Sequence, residues 1–116
     1  MNTREKGRAG ENRAIEYLLS TGYSILTRNY QTRNGEIDCV AHDVDGTIVF
    51  VEVKTATSLS AGNPLGWITL GKQKKLANLA KRFIYEHQMH NKPCRFDVIS
   101  IVNGKIDHIK NAFFSP

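Results

Sequence analysis

The chain has 116 residues, 16 Lys and Arg against 11 Asp and Glu, and 41% apolar residues. One domain over residues 1–116 is expected, long enough to bury a core without disulfide staples. The composition excludes a disordered or fibrous chain, and no apolar run approaches the roughly 20 residues that span a bilayer. Met1–Gly10 is polar and basic with no apolar segment behind it, which argues against a secretory signal. Cys39 and Cys94 lie outside any zinc-binding spacing, so free core thiols in a reducing cytoplasm are expected.

In chain order, Ala14, Ile15, Leu18 and Leu19 recur at helical spacing and predict a helix over Arg4–Ser20, stopped by Gly22. Strands are predicted over Tyr23–Tyr30 and Glu36–Val44. Asp45-Gly46 reads as a two-residue hairpin turn into a third strand, Thr47–Lys54. Its core, Ile48-Val49-Phe50-Val51, is apolar on both faces, as in the middle of a covered sheet. Thr55–Gly66 is loop by composition. A second helix follows over Thr69–Met89 with Leu76, Leu79, Ala80, Phe83 and Ile84 as its apolar stripe. Arg95–Val102 and Lys105–Lys110 are the last two strands, joined by Asn103-Gly104. The order is α-β-β-β-α-β-β: an α/β domain with a mixed sheet and helices packed on it.

Charge is segregated. Glu36 to Glu52 contains five acids and no Lys or Arg, whereas Lys72 to Arg82 contains five bases and no acid. Arg4, Lys6, Arg8 and Arg13 add positive charge near the N-terminus. An acidic centre with basic flanks suits a divalent cation beside a polyanion; the alternative is two solvated faces.

The chemistry concentrates in Gly35-Glu36-Ile37-Asp38 and Glu52-Val53-Lys54. Alternation puts Glu36 and Asp38 on one side of their strand, and Glu52 and Lys54 on one side of theirs. A tight Asp45-Gly46 turn pairs residues whose numbers sum to about 91, which sets Asp38 opposite Val53, between Glu52 and Lys54. Neighbouring carboxylates repel unless a hard cation such as Mg²⁺ or Mn²⁺ accepts their oxygens. Lys54 beside them orients a water or neutralises a phosphate; the alternative is a plain salt bridge to Asp38 or Glu52. Glu11 shares the apolar stripe of the first helix, which makes it a third metal ligand or, alternatively, an acid complementing the helix dipole.

Four further side chains invite a reading. His87 and His90 lack supporting ligands and read as a solvated helix end. Asp97, in an apolar strand, reads as a structural hydrogen-bond acceptor. Trp67 stacks on a base or packs the second helix.

Gly10-Glu11 with Ala14 and Leu18, Gly35-Glu36-Ile37-Asp38, Val49-Phe50-Val51-Glu52-Val53-Lys54, Lys72-Gln73 with Leu76, and Arg95-Phe96-Asp97-Val98 together resemble the YraN-like family of uncharacterised bacterial proteins. The match runs from about residue 4 to residue 101. That family resembles the PD-(D/E)xK nuclease superfamily, with Holliday-junction resolvases among its closer relatives. The resemblance implies a restriction-endonuclease-like five-stranded mixed sheet. It implies Asp38, Glu52 and Lys54 at the D…ExK positions, Glu11 as the first-helix acid, Mg²⁺ or Mn²⁺ as cofactor, and phosphodiester hydrolysis. Ile37 replaces the Pro of the superfamily name, Ala56 stands where relatives often carry Arg, and Ala77 breaks the Q-x-x-x-Y pattern begun by Gln73.

A metal-dependent DNA endonuclease or resolvase-like enzyme is therefore expected. Asp38, Glu52 and Glu11 hold the metal, Lys54 positions water, and Lys72, Gln73, Lys74, Lys75, Arg8 and Arg13 hold nucleic acid. The alternatives are a non-catalytic nucleic-acid-binding module with the same fold, or a partner-binding protein with an internal ion-pair network. A homodimer joined through Phe113-Phe114 is a further expectation by analogy with resolvases; a membrane partner is not expected.

Overall fold

The computed structural model describes residues 3–56, 66 and 68–113. Helix α1 spans Thr3–Ser20, strands β1, β2 and β3 span Ser24–Thr32, Gly35–His42 and Ile48–Ala56, helix α2 spans Leu70–Glu86, and strands β4 and β5 span Cys94–Val102 and Lys105–Phe113. The element order is the expected one. The five strands form one sheet in chain order, with β3 and β4 parallel and every other neighbouring pair antiparallel. The parallel pair requires a crossover, and α2 supplies it.

β3 explains the layering. Ile48 and Phe50 pack with Leu76, Leu79, Ala80 and Phe83 of α2, while Val49 and Val51 pack with Ala14 and Leu18 of α1. All of these are buried, so a strand apolar on both faces lies between two helical layers, as its composition requires. α1 ends in paired bonds: Tyr23 N–H donates to Leu18 O at 3.0 Å and Gly22 N–H to Leu19 O at 3.3 Å. These are the two bonds of a Schellman cap, and the buried Tyr23 and Leu18 supply its apolar contact. α2 begins at Thr69, whose side chain accepts from Lys72 N–H.

The β2–β3 connection corrects one expectation. Asp43 N–H donates to Thr47 O at 3.0 Å and Gly46 N–H to Asp43 O at 2.9 Å, with Gly46 at φ +88°. The turn is therefore longer than two residues, and Gly46 occupies the left-handed position of a bulge. Val40 pairs with Phe50 and Cys39 with Val51, so paired numbers sum to 90 rather than 91. The paired ladder stops at Cys39, one residue short of Asp38.

A second correction concerns Cys94. Cys39 is buried, and burial pushes its thiol up to about 12, but Cys94 is exposed at the start of β4. Trp67 and Phe114 lie outside the described residues. Phe113 stacks on Phe96 of its own chain at 4.8 Å between ring centroids.

Gly35 opens β2 at φ +144°, and a Cβ there would lie 3.2 Å from Lys75 Cδ on α2. The backbone favours glycine and the Lys75 stem leaves little room for a Cβ, so Gly35→Ala is expected to cost about 1–3 kcal/mol. Urea denaturation measures it as a lower midpoint at an unchanged slope.

Candidate metal and phosphodiester site

The site forms where β2 and β3 part. Beyond Cys39 and Val51, side chains replace the backbone ladder. Val53 N–H donates to Asp38 Oδ2 at 2.8 Å, and Asp38 N–H points at Glu52 Oε1 at 3.5 Å. The face alternation also breaks here. Ile37 joins the α2-side core, although Cys39, two residues on, belongs with Ala41 to the α1-side core. Asp38 thus sits at the break, able to meet groups from both layers. On the α2 side it meets Glu52; on the α1 side it meets Glu11 and Glu36.

Glu52 is 5% exposed. Burial, then the charge of Asp38, pushes its carboxyl up to about 7, although Lys72 pulls the other way. Burial also raises Asp38, against the Val53 N–H and the Lys72 and Lys54 ammonium groups. Lys54 is lowered, by burial and by the neighbouring Lys72. The carboxylate partner on α2 is explicit: Lys72 Nζ lies 3.2 Å from Glu52 Oε2. Among the described residues, Glu52 is paired with Lys72 rather than Lys54. Ser100 of β4 is in register with Lys54 and so leaves the same face of the sheet. It is fully buried, and among the described residues its hydroxyl has no hydrogen-bond partner.

On the α1 side, one carboxylate oxygen each from Glu11, Glu36 and Asp38 lie within 4.8 Å of one another. Burial, then Asp38 and Glu36, raises the Glu11 carboxyl, with Arg28 and Arg8 opposing. Asn29 braces this group. With its amide nitrogen turned inward it donates to Glu11 Oε1 at 3.1 Å and Glu36 Oε1 at 2.9 Å. Asn29 does so from a left-handed backbone, φ +51°. α1 reaches the sheet here because Gly10 has no side chain; a Cβ would collide with Thr55 Oγ1.

The donor set fits a hard divalent cation. It offers only oxygen: the carboxylates of Glu11, Glu36 and Asp38 converge from α1 and β2, while Glu52 of β3 approaches Asp38 without joining that trio. Burial raises the carboxyls of Glu11, Asp38 and Glu52, and a cation would favour their charged forms. Of the residues predicted for nucleic acid, Arg8 lines a groove of about 590 Å³ with Glu11, Arg28 and Glu36. Arg13 is exposed, with a guanidinium nitrogen near Gly104 of the β4–β5 turn. Lys74 and Lys75 are exposed on α2. Gln73 turns inward and donates to Ile68 O at 3.2 Å. His87 and His90 are exposed, and neither joins an acidic or thiol group among the described residues.

The sequence profile of the uncharacterised protein family UPF0102 matches residues 10–101. The chain belongs to that family. It is 47% identical over 108 residues to a UPF0102 protein of Persephonella marina, covering 93% of this chain and 92% of that one. It is 42% identical over 115 residues to a UPF0102 protein of Clostridioides difficile, covering 97% and 100%. The YraN-like resemblance read from the motifs is to this family. Among solved structures the chain is similar to a chain of an EndoMS-dsDNA2 complex, at 16% identity and TM-score 0.43, covering 80% of this chain and 35% of that one. It is also similar to a repair endonuclease from Pyrococcus abyssi, at 17% identity and TM-score 0.42, covering 88% and 39%.

Two residues beside these carboxylates, Glu36 and Asn29, escape the sequence reading. Glu36 carries a signal, since it shares a strand side with Asp38. Asn29 carries none, because its role depends on a left-handed backbone in β1. Lys72 reads from the sequence as a nucleic-acid contact, and the structure turns its ammonium to Glu52.

Proposed function

We propose that the chain is a divalent-metal-dependent phosphodiesterase acting on DNA. The observation that carries this reading is the pair of carboxylates, half-buried Asp38 and buried Glu52, held at parted strand ends with Lys54 beside them. Withdrawing two neighbouring acids from water is costly even with Lys72 at Glu52 and Val53 N–H at Asp38, and a purely structural role would be served better by apolar side chains. Asp38 and Glu52 would hold Mg²⁺ or Mn²⁺, with Glu11, and Glu36 beside it, completing the oxygen set. When bound, the cation supplies Lewis-acid polarisation of a phosphoryl oxygen and a more acidic water.

The chain's own residues supply the rest. Lys54 hydrogen-bonds and orients the attacking water, whose proton passes to solvent as the new P–O bond forms, while the ester bond opposite breaks and its leaving oxygen takes a proton from solvent. Lys72 sits where charge builds on the phosphate and can exchange Glu52 for a phosphate oxygen. Val53 N–H fixes the Asp38 carboxylate, so little reorganisation is needed.

One observation favours a non-catalytic nucleic-acid-binding module instead: Lys72 already supplies a positive charge at Glu52. Calorimetric titration with Mn²⁺ separates the two. Wild type is expected to bind, and Asp38→Ala and Glu52→Ala to lose binding, because each removes an anionic ligand. Unchanged affinity in both variants removes the proposed site.

A further inference from the structure

A second positive feature lies away from the carboxylates. The β1–β2 turn abuts the middle of α2 and encloses a depression of about 490 Å³ lined by Thr32, Arg33, Asn34, Lys75, Asn78 and Arg82. Its polar side chains Arg33, Asn34, Lys75, Asn78 and Arg82 are all exposed. Gly35 adjoins the depression at the start of β2. That residue lets the turn close on Lys75 and Leu79, and Thr32 Oγ1 holds the turn by accepting from Asn34 N–H at 3.0 Å.

The charge here is largely unneutralised. Among the described residues Arg33 and Lys75 make no ion pair, while Arg82 pairs with Glu86 at 3.3 Å. Glu86 also accepts from Tyr30 O–H. Lys74 and Lys81 extend the positive surface around Asn78. Three cations with two side-chain amides, open to solvent and brought together from two elements, match an anion with several oxygens.

The placement names the anion. Gly35 precedes Asp38 by three residues, about 10 Å along a strand. Lys72 precedes Arg82 by ten residues, about 15 Å along a helix. Lys75 and Arg82 are seven apart and so share a helix side. Phosphates recur along every DNA strand, so a second phosphate site at this spacing suits a neighbouring stretch of the same backbone. We infer that the depression formed by Arg33, Asn34, Lys75, Asn78 and Arg82 binds a backbone phosphate of DNA that flanks the phosphate at Asp38 and Glu52. The flanking position rests on the phosphodiesterase reading; the phosphate site itself does not.

The test is the salt dependence of binding to a short labelled DNA duplex without divalent cation. Wild type, the double variant Arg33→Ala/Arg82→Ala, and the control Lys105→Ala/Lys110→Ala on the opposite sheet edge are compared. The substituted side chains are all exposed, and unchanged thermal unfolding verifies that each variant folds. The slope of log affinity against log salt is expected to fall by about 0.9–1.8 in the double variant, one to two phosphates, and to stay unchanged in the control. An unchanged slope in the double variant, an equal fall in the control, or no duplex binding by wild type overturns the site. Loss of cleavage or Mn²⁺ binding in wild type, with the slope change intact, would sink the phosphodiesterase reading and leave the phosphate site standing.

Discussion

Lys54→Met is expected to leave the fold, Mn²⁺ binding and DNA binding in place, and to slow cleavage about 100-fold, a barrier increase of about 2.7 kcal/mol. Methionine keeps most of the stem and its packing but cannot accept or donate a proton to water. The alternative role, a salt bridge, predicts a different phenotype: a stability loss from an unpaired carboxylate, with the rate per folded molecule unchanged. The geometry weighs against it, because Glu52 already takes its ion pair from Lys72. Single-turnover cleavage together with urea denaturation reads both quantities on the same protein. Cutting by Lys54→Met at the wild-type rate eliminates the role assigned to this lysine.

The largest stability effect is expected at Asp97, on the α1 side of β4. Its side chain is fully buried. Arg95 Nε donates to Asp97 Oδ1 at 3.1 Å, Asn111 N–H to the same oxygen at 3.0 Å, and His108 Nε2 lies 2.7 Å from Oδ2. Arg95 continues to Asp43 and to the Tyr23 hydroxyl, and His108 Nδ1 meets the Tyr17 hydroxyl. One carboxylate therefore ties β4 to β5, with α1 attached through Tyr17. Asp97→Ala leaves those donors buried without an acceptor and is expected to cost about 3–5 kcal/mol. That is a large share of the roughly 5–15 kcal/mol that holds a domain folded. Asp43→Ala removes a more exposed partner of the same arginine and is expected to cost about 1 kcal/mol or less.

The same carboxylate sets an acid limit. Burial alone would raise the Asp97 pKa, but His108, Asn111 N–H and Arg95 together outweigh it and hold the value below the ordinary carboxylate range. A group whose folded pKa is depressed stabilises the fold above its unfolded pKa, about 4, and loses that contribution as pH falls through the folded value. Acid unfolding followed by circular dichroism is expected to steepen below about pH 4 in wild type. Asp97→Asn should flatten that dependence.

The element order was legible because apolar periodicity switches cleanly between strand and helix, and because β3 is apolar on both faces. Asp38, Glu52 and Lys54 could be placed near one another from alternation and a hairpin. Their register could not: the turn residues signalled a two-residue loop, whereas Gly46 sits in a bulge and moves the pairing by one. The break at Asp38 was equally hidden, since a side chain that replaces a ladder bond leaves no periodic trace. Contacts made across the fold were beyond reach. Lys72 reads as one more base on a basic helix until α2 is laid against β3, and Asn29 reads as an ordinary polar strand residue until its backbone turns left-handed.

The central claim is that Asp38 and Glu52 serve phosphodiester hydrolysis. Its most direct test is cleavage of a panel of four-way-junction, flap, single-stranded and duplex DNA by wild type and by Asp38→Asn/Glu52→Gln, purified identically, with Mg²⁺, Mn²⁺ or EDTA. Wild type is expected to cut at least one substrate with a divalent cation and none in EDTA, and the double variant to cut none. Wild-type protein that binds these substrates but cuts none with either cation, or a double variant that cuts as fast as wild type, would contradict it.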